Sequence, residues 1–405
     1  MLSVAQAQEI ILQAARPLPP QTLALAPAAV GLVLAEDVVS DIDSPPFDKA
    51  LMDGYAVRTT DLPEGRGELA IIEEVTAGRL PTREVGPGQA TRIMTGAPLP
   101  AGADAVIPVE RTRLLEGERV RVEDRPPRPG VNILRLGAEM RRGQAVLKAG
   151  CVLRPQEIGI LASVGRTEAR LIPPPVVAII ATGDEIVEAS QAPGPGQIRN
   201  SNGHMLAAQV HRAGAIQMPP AIARDTEVHL RANIRQGLTA DVLLLSGGVS
   251  AGKLDLVPKV LQDLGVEAKF HKVEMKPGKP LFFGVRPRDG TVPTLVFGLP
   301  GNPVSTFVGF ELFVRPALRA LCGMAEPMPR VVQAELAEDF PYRTDRTTYH
   351  PAALTTDARG WRVQLVPWFG SPDLLGLTRA NALAVLPVGD HQHRAGRCLP
   401  VLCLD

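Results

Sequence analysis

The period of the apolar positions changes along the chain, and each change marks a different kind of element. Val4, Ala7, Ile11 and Ala14 recur at helical spacing behind Ser3, which forms an S-x-x-Q capping box with Gln6. This predicts an amphipathic helix over 4–15 that Pro17 stops. Between about 40 and 135 the pattern shortens to β-like runs at 68–75, 88–94, 105–109 and 119–122, separated by Gly and Pro. From about 173 to 323 the grammar is different. Continuous apolar runs at 176–181, 241–245 and 294–297 predict buried strands, and helical patterns fall at 202–213, 226–238, 254–264 and 304–321. A further strand is expected at 281–285. Strand and helix alternate, which predicts an α/β domain around a largely parallel sheet. After Gly323 short β runs return at 331–336, 362–366, 382–386 and 398–402, predicting a small C-terminal barrel or sandwich.

Composition narrows the function classes. The chain has 405 residues, with 43 Lys plus Arg against 43 Asp plus Glu, so it has no global basic field to hold nucleic acid or an anionic membrane. An anionic ligand must be met by a local cluster. The 39 Pro and 38 Gly against 4% aromatic residues favour turns and close backbone approaches over stacking platforms. Cys151, Cys322, Cys398 and Cys403 are scattered without zinc-ligand spacing, which fits a reducing cytoplasm. No signal peptide or membrane span is expected. His391 and His393 lack a visible third ligand, and all seven His are left out of the chemistry.

In an open parallel sheet, ligands sit beyond the carboxyl ends of the strands. Three such ends here run into unusual loops: Thr182-Gly183-Asp184-Glu185, then Ser246-Gly247-Gly248-Val249-Ser250, then Pro300-Gly301-Asn302. Their Gly and Ser residues allow backbone N–H groups to converge on a phosphate. The run from Gly247 to Lys253 imitates a P-loop, but Leu254 stands where the Mg²⁺-binding hydroxyl belongs, so a P-loop NTPase is not expected. Asp184, Glu185, Asp225 and Asp255 adjoin these ends and suit a Mg²⁺ that bridges phosphate oxygens. Lys276 and Lys279 flank a Pro-Gly turn and suit a dianion. In the β-rich region, the Asp53-Gly54 turn and the loop from Met94 to Asp104 are too specific for generic connections.

The runs PPFDKALMDGYAV, RIMTGAPLPAGADAVIPVE, ATGDEI, SGGVSAGKLD, KPGKP and LPGNPVSTF, in this order, closely resemble the molybdopterin molybdenumtransferase family, which includes MoeA and the gephyrin E domain. The resemblance implies a multidomain α/β plus β fold. Its parts would be a linker domain (1–40 and 136–172), a β-rich second domain (41–135), a three-layer MogA-like α/β domain (173–323) and a C-terminal β-barrel-like domain (324–405). It also implies an elongated homodimer that inserts molybdenum from molybdate into adenylylated molybdopterin with release of AMP, assisted by Mg²⁺. Contacts with other proteins of the same biosynthesis are implied as well.

By motif, Thr182, Gly183, Ser246, Gly247, Gly248, Ser250, Pro300, Gly301 and Asn302 would cradle the pterin and phosphates. Glu185, Asp225 and Asp255 would be the Mg²⁺ and catalytic carboxylates, and Lys276, Lys279 and Ser371 would hold molybdate. Asp53 and Thr95 would reach the cleft from the partner subunit. The family's oxyanion-binding Arg has Arg343 and Arg346 as its nearby candidates, and its acidic turn becomes Gly137-Ala138-Glu139. Two alternatives are a protein-binding scaffold of the same fold and a molybdopterin adenylyltransferase. The charged residues Asp53, Asp255, Lys276 and Lys279 argue against the scaffold, and the four-domain length argues against the adenylyltransferase.

Overall fold

The computed structural model describes residues 1–248 and 256–404. The chain divides into two compact units. One comprises Met1–Ala35, Gly150–Arg154 and the chain from Glu168 onward; the other comprises Glu36–Ala149 and Pro155–Thr167. No described helix is long and apolar enough to cross a membrane.

The first unit is organised by a seven-stranded sheet. Val176–Thr182, Val242–Ser246 and Thr294–Leu299 lie side by side in parallel, and the short strands Ile216–Gln217 and Ala221–Ala223 also pair in parallel with the first of them. Pro280–Arg286 and Glu267–Lys272 close one edge antiparallel. The three central strands read as unbroken apolar runs because both faces are covered. Val177, Ile179, Val242, Leu244, Leu295 and Phe297 enter one core, while Ala178, Ile180, Leu243, Leu245 and Val296 enter another. The edge strand Glu267–Lys272 escaped the sequence reading because only Phe270 along it is buried.

The predicted helix over 304–321 is interrupted. Pro303–Gly309 and Arg315–Leu321 are α-helical, and Phe310–Val314 between them is a π segment. Pro316 has no N–H for the carbonyl of Leu312 four residues earlier, and in a regular α-helix a proline ring would crowd that carbonyl. Gln8 Nε2 from the N-terminal helix Val4–Ala14 donates to the Leu312 oxygen instead, at 2.9 Å. That helix carries the predicted capping box, with Ser3 Oγ accepting from the Gln6 N–H and the Gln6 side chain accepting from the Ser3 N–H. The start of the helix predicted over 254–264 lies outside the described residues; its described part is Val257–Asp263.

The C-terminal region is a closed barrel of Val331–Leu336, Gly360–Leu365, Thr348–Asp357, Ala382–Leu386 and Cys398–Cys403. Thr348–Asp357, the second of these strands along the chain, escaped the sequence reading because Pro351 lies within it and Pro argues against a paired interior strand. Phe340–Thr344 and Gly389–His393 form a separate antiparallel pair.

The second unit holds a six-stranded sheet in the order Ala105–Pro108, Gly54–Val57, Gln89–Ile93, Arg66–Val75, Arg119–Glu123, Thr112–Leu115. Gly54–Val57, read from sequence as part of a loop, is an interior strand with every residue buried. A Cβ on Gly54 would fall 1.9 Å from the Ile107 carbonyl oxygen, so the turn after Asp53 requires glycine.

Candidate active site

Parallel register brings the predicted loops to one edge. Ala181 lies opposite Ser246, Ser246 opposite Leu299, and Thr182 opposite Ala223, so the segments following all four strands leave the sheet together. The Gly183 N–H donates to the Ala223 carbonyl at 3.2 Å, and the Gly247 N–H to the Leu299 carbonyl at 3.1 Å. Gly248 lies directly on Thr182. A Cβ there would stand 2.6 Å from Thr182 Oγ1, and its φ of +60° already favours glycine. The Thr182 hydroxyl beneath is buried and has no hydrogen-bond partner among the described residues.

The third loop is folded by Thr306, whose hydroxyl donates to the Pro300 carbonyl at 2.5 Å and lies 3.1 Å from that of Asn302. Asn302 therefore turns its side chain outward, and its Nδ2 donates to Ser371 Oγ at 2.9 Å. The Val304 N–H donates to the Ser371 carbonyl at 3.0 Å. These two bonds join the predicted phosphate loop to the predicted oxyanion-binding serine, which stands 69 residues further along the chain.

The Lys276–Pro280 turn is stitched to the barrel. The Lys276 N–H donates to Thr347 O at 2.9 Å, and the Tyr349 N–H donates to Lys276 O at 2.8 Å. Lys276 Nζ lies 5.3 Å from the centre of the Tyr342 ring, a cation–π distance. Burial, and secondarily the nearby Lys276 charge, hold His350 below its ordinary value, so this imidazole packs neutral against Phe340, Tyr342 and Trp368. Lys279 is exposed on the same turn. Of the two candidate arginines, Arg346 reaches this turn, with a guanidinium nitrogen 3.4 Å from the Met275 carbonyl. Arg343 lies in the neighbouring strand pair, opposite Asp390.

The carboxylates at the sheet edge are mutually repulsive. The Asp225 N–H donates to Asp184 Oδ1 at 3.2 Å. The Asp225 carboxyl is raised above its ordinary value by local desolvation, then by the charges of Asp184 and Glu185. Among the described residues, no three His, Cys, Asp or Glu side chains converge as a metal site. Asp255 and Ser250, the remaining predicted ligand and loop residue, lie outside the described residues. The donor set present still suits a hard cation: oxygen ligands whose negative charges are incompletely balanced.

Asp53 and Thr95 belong to the second unit, where they hold each other. Asp53 Oδ1 accepts from the Thr95 N–H and from its hydroxyl, both at 2.7 Å, and these bonds keep the carboxyl below its ordinary value. Glu139, from the altered acidic turn, accepts from Ser44 Oγ at 2.7 Å and lies 3.9 Å from Lys49 Nζ.

The sequence reading missed Asn202 and Arg224. Asn202 joins two of the loops, and Arg224 donates to the Asp184 carbonyl at 2.6 Å. An Asn at a helix start reads as a cap, but here Asn200 is the cap, accepting from the Gly203 N–H.

The sheet edge of this unit carries glycine turns and a carboxylate group, and the same unit carries the lysine turn. The family model described as a probable molybdopterin binding domain matches residues 178–320. The models for the MoeA N-terminal region (domain I and II) and the MoeA C-terminal region (domain IV) match 2–165 and 333–404. Molybdopterin molybdenumtransferases of Staphylococcus aureus strain N315 and Bacillus subtilis strain 168 are each 35% identical over 92% of this chain, covering 88% and 87% of their own lengths. The crystal structure of the molybdopterin biosynthesis MoeA protein from Pyrococcus horikoshii OT3 superposes over all of both chains with a TM-score of 0.82 at 30% identity. The chain belongs to the molybdopterin molybdenumtransferase (MoeA) family, enzymes of molybdenum cofactor biosynthesis.

Proposed function

We propose that the chain inserts molybdenum from molybdate into adenylylated molybdopterin and releases AMP, in a Mg²⁺-dependent reaction carried out by a homodimer. The observation that supports this reading is the Asn302–Ser371 bond, because it ties a loop proposed to hold phosphate to a serine proposed to hold the oxyanion. Thr182, Gly183 and the turns at Ser246–Gly248 and Pro300–Asn302 would hold the pterin and its phosphates. Lys276, Lys279, Arg346 and Ser371 would hold molybdate, with Lys276 steadied by Tyr342. In the homodimer, Asp53 and Thr95 would come from the partner copy.

Asp184, Glu185 and Asp225, together with Asp255, would hold Mg²⁺, which when bound supplies charge neutralisation at the phosphoanhydride. The cationic side chains orient the dianion and stabilise charge as the phosphoanhydride opens: an oxygen of molybdate or water attacks the pterin-side phosphorus, the bond from that phosphorus to the bridging oxygen breaks, and AMP leaves with the bridging oxygen and its electron pair. The test is to incubate the purified protein with adenylylated molybdopterin, molybdate and Mg²⁺ and to separate the nucleotides. Free AMP is expected. AMP that stays on the pterin under every metal and oxyanion condition defeats the reading.

A further inference from the structure

Asn202 lies in the first turn of the helix Ser201–Arg212, and its side chain spans two of the three loops. Its Nδ2 donates to Ser246 Oγ at 2.9 Å and to the Gly301 carbonyl at 2.7 Å, with Thr306 Oγ1 farther off at 3.4 Å. A carbonyl oxygen can only accept, so the Gly301 contact fixes which end of the amide is nitrogen. Both N–H bonds are thus committed to the loops that follow the strands Val242–Ser246 and Thr294–Leu299. The amide oxygen Oδ1 is buried and has no hydrogen-bond partner among the described residues. Buried acceptors are satisfied in the great majority of native interiors, so an unmet one between these two loops calls for a donor. Thr182 Oγ1, on the remaining loop, is in the same condition.

We propose that Asn202 is a positioning residue of the transfer site. Its Nδ2 fixes the spacing of the Ser246–Gly248 and Pro300–Asn302 loops, and its Oδ1 accepts a hydrogen bond from an N–H or O–H of the bound pterin nucleotide. The inference rests on the transferase reading for the identity of that ligand. It assigns Asn202 to the pterin side of the site, because its amide touches neither Ser371 nor the Lys276 turn, where molybdate is proposed to bind.

The test compares Asn202→Ala and Asn202→Asp with the wild-type dimer. Asn202→Asp keeps the shape and the Oδ1 acceptor but replaces the amide donor by an anion facing the Gly301 carbonyl. KM for adenylylated molybdopterin should rise about 10-fold in Asn202→Ala and further in Asn202→Asp, the size expected for one buried polar contact. KM for molybdate should stay within about twofold of wild type by the same spatial argument. A purely structural role would instead scale kcat with the folded fraction and leave both KM values unchanged, which overturns the proposal. Equal increases in both KM values also overturn it. Where Asn202→Asp does not fold, Asn202→Ala decides by equilibrium titration with adenylylated molybdopterin: a Kd about 10-fold weaker supports the proposal, and an unchanged Kd overturns it. If wild-type protein binds this nucleotide but releases no AMP, the transferase reading fails, while the same titration still decides the role of Asn202.

Discussion

Asp53 and Asp225 each stand close to one end of a strand, yet their surroundings push them in opposite directions. Asp53 is satisfied within its own unit: two donors from one residue, Thr95, hold its carboxyl low, and it is a preformed anion. Asp225 faces Asp184 and Glu185, and its carboxyl is raised. The first arrangement is complete without a ligand, whereas the second is relieved by a cation. The difference teaches that the β-rich unit presents a finished acceptor, while the α/β edge stores unbalanced charge that a bound cation would relieve.

The sharpest way to break this contrast is charge removal. Asp225→Asn should lower the rate of AMP release by about 100-fold, and Mg²⁺ should raise the thermal midpoint of the wild-type protein but not of this variant. Asp53→Asn should keep that Mg²⁺ response. If both variants lose it, or both keep it, the two carboxylates do not differ as argued.

Gly248→Ala tests the loop geometry at the α/β edge. The new methyl meets the Thr182 hydroxyl in a backbone conformation that disfavours it, for a stability cost of about 1–2 kcal/mol and an activity loss of about 10-fold. Wild-type kinetics in this variant would mean that the turn does not need to lie on Thr182.

Mixing separately inactive Asp53→Asn and Asp225→Asn proteins sharpens the comparison further. If Asp53 serves the partner's cleft, random two-fold pairing gives half heterodimers with one intact site each, and about a quarter of wild-type activity returns. Activity that stays at the level of the single variants would place both carboxylates on the same cleft of the same chain.

The smallest effect is in the pH dependence of stability. A carboxyl raised in the folded state binds protons more tightly than in the unfolded chain. Asp225 therefore lowers stability as pH rises from its ordinary value of 3.8 through the raised value, by less than about 1 kcal/mol given its exposure to solvent. Asp53 has the opposite sign: its stabilisation is present above 3.8 and is lost as pH falls through the depressed value. Denaturant midpoints measured between pH 2 and pH 7 should show Asp225→Asn flattening the first slope and Asp53→Asn the second.

Much of this was legible from local pattern. The unbroken apolar strands Val176–Thr182 and Val242–Ser246 announced a doubly covered sheet, and their carboxyl ends located the loops. What escaped was set by distant partners or by backbone exceptions. Gly54–Val57 looked like part of a loop because its turn motif masked a four-residue strand, and Pro351 disguised a barrel strand. The π segment depends on Pro316 and on Gln8, which are far apart in sequence, so helical periodicity alone could not place it. Asn202 was invisible for the same reason: its partners Ser246 and Gly301 are 44 and 99 residues away. The choice between Arg343 and Arg346 likewise needed the Met275 carbonyl.

The central claim is that phosphoanhydride cleavage is coupled to oxyanion binding at the Lys276 turn. Its most direct test is a single-turnover experiment in which enzyme-bound adenylylated molybdopterin is mixed with Mg²⁺, with and without molybdate, and AMP is followed over time. The account predicts AMP release that depends on molybdate and a Lys276→Met variant that needs about 100-fold more molybdate to reach the same rate. AMP released equally fast without molybdate, or a Lys276→Met variant with unchanged molybdate dependence, would contradict it.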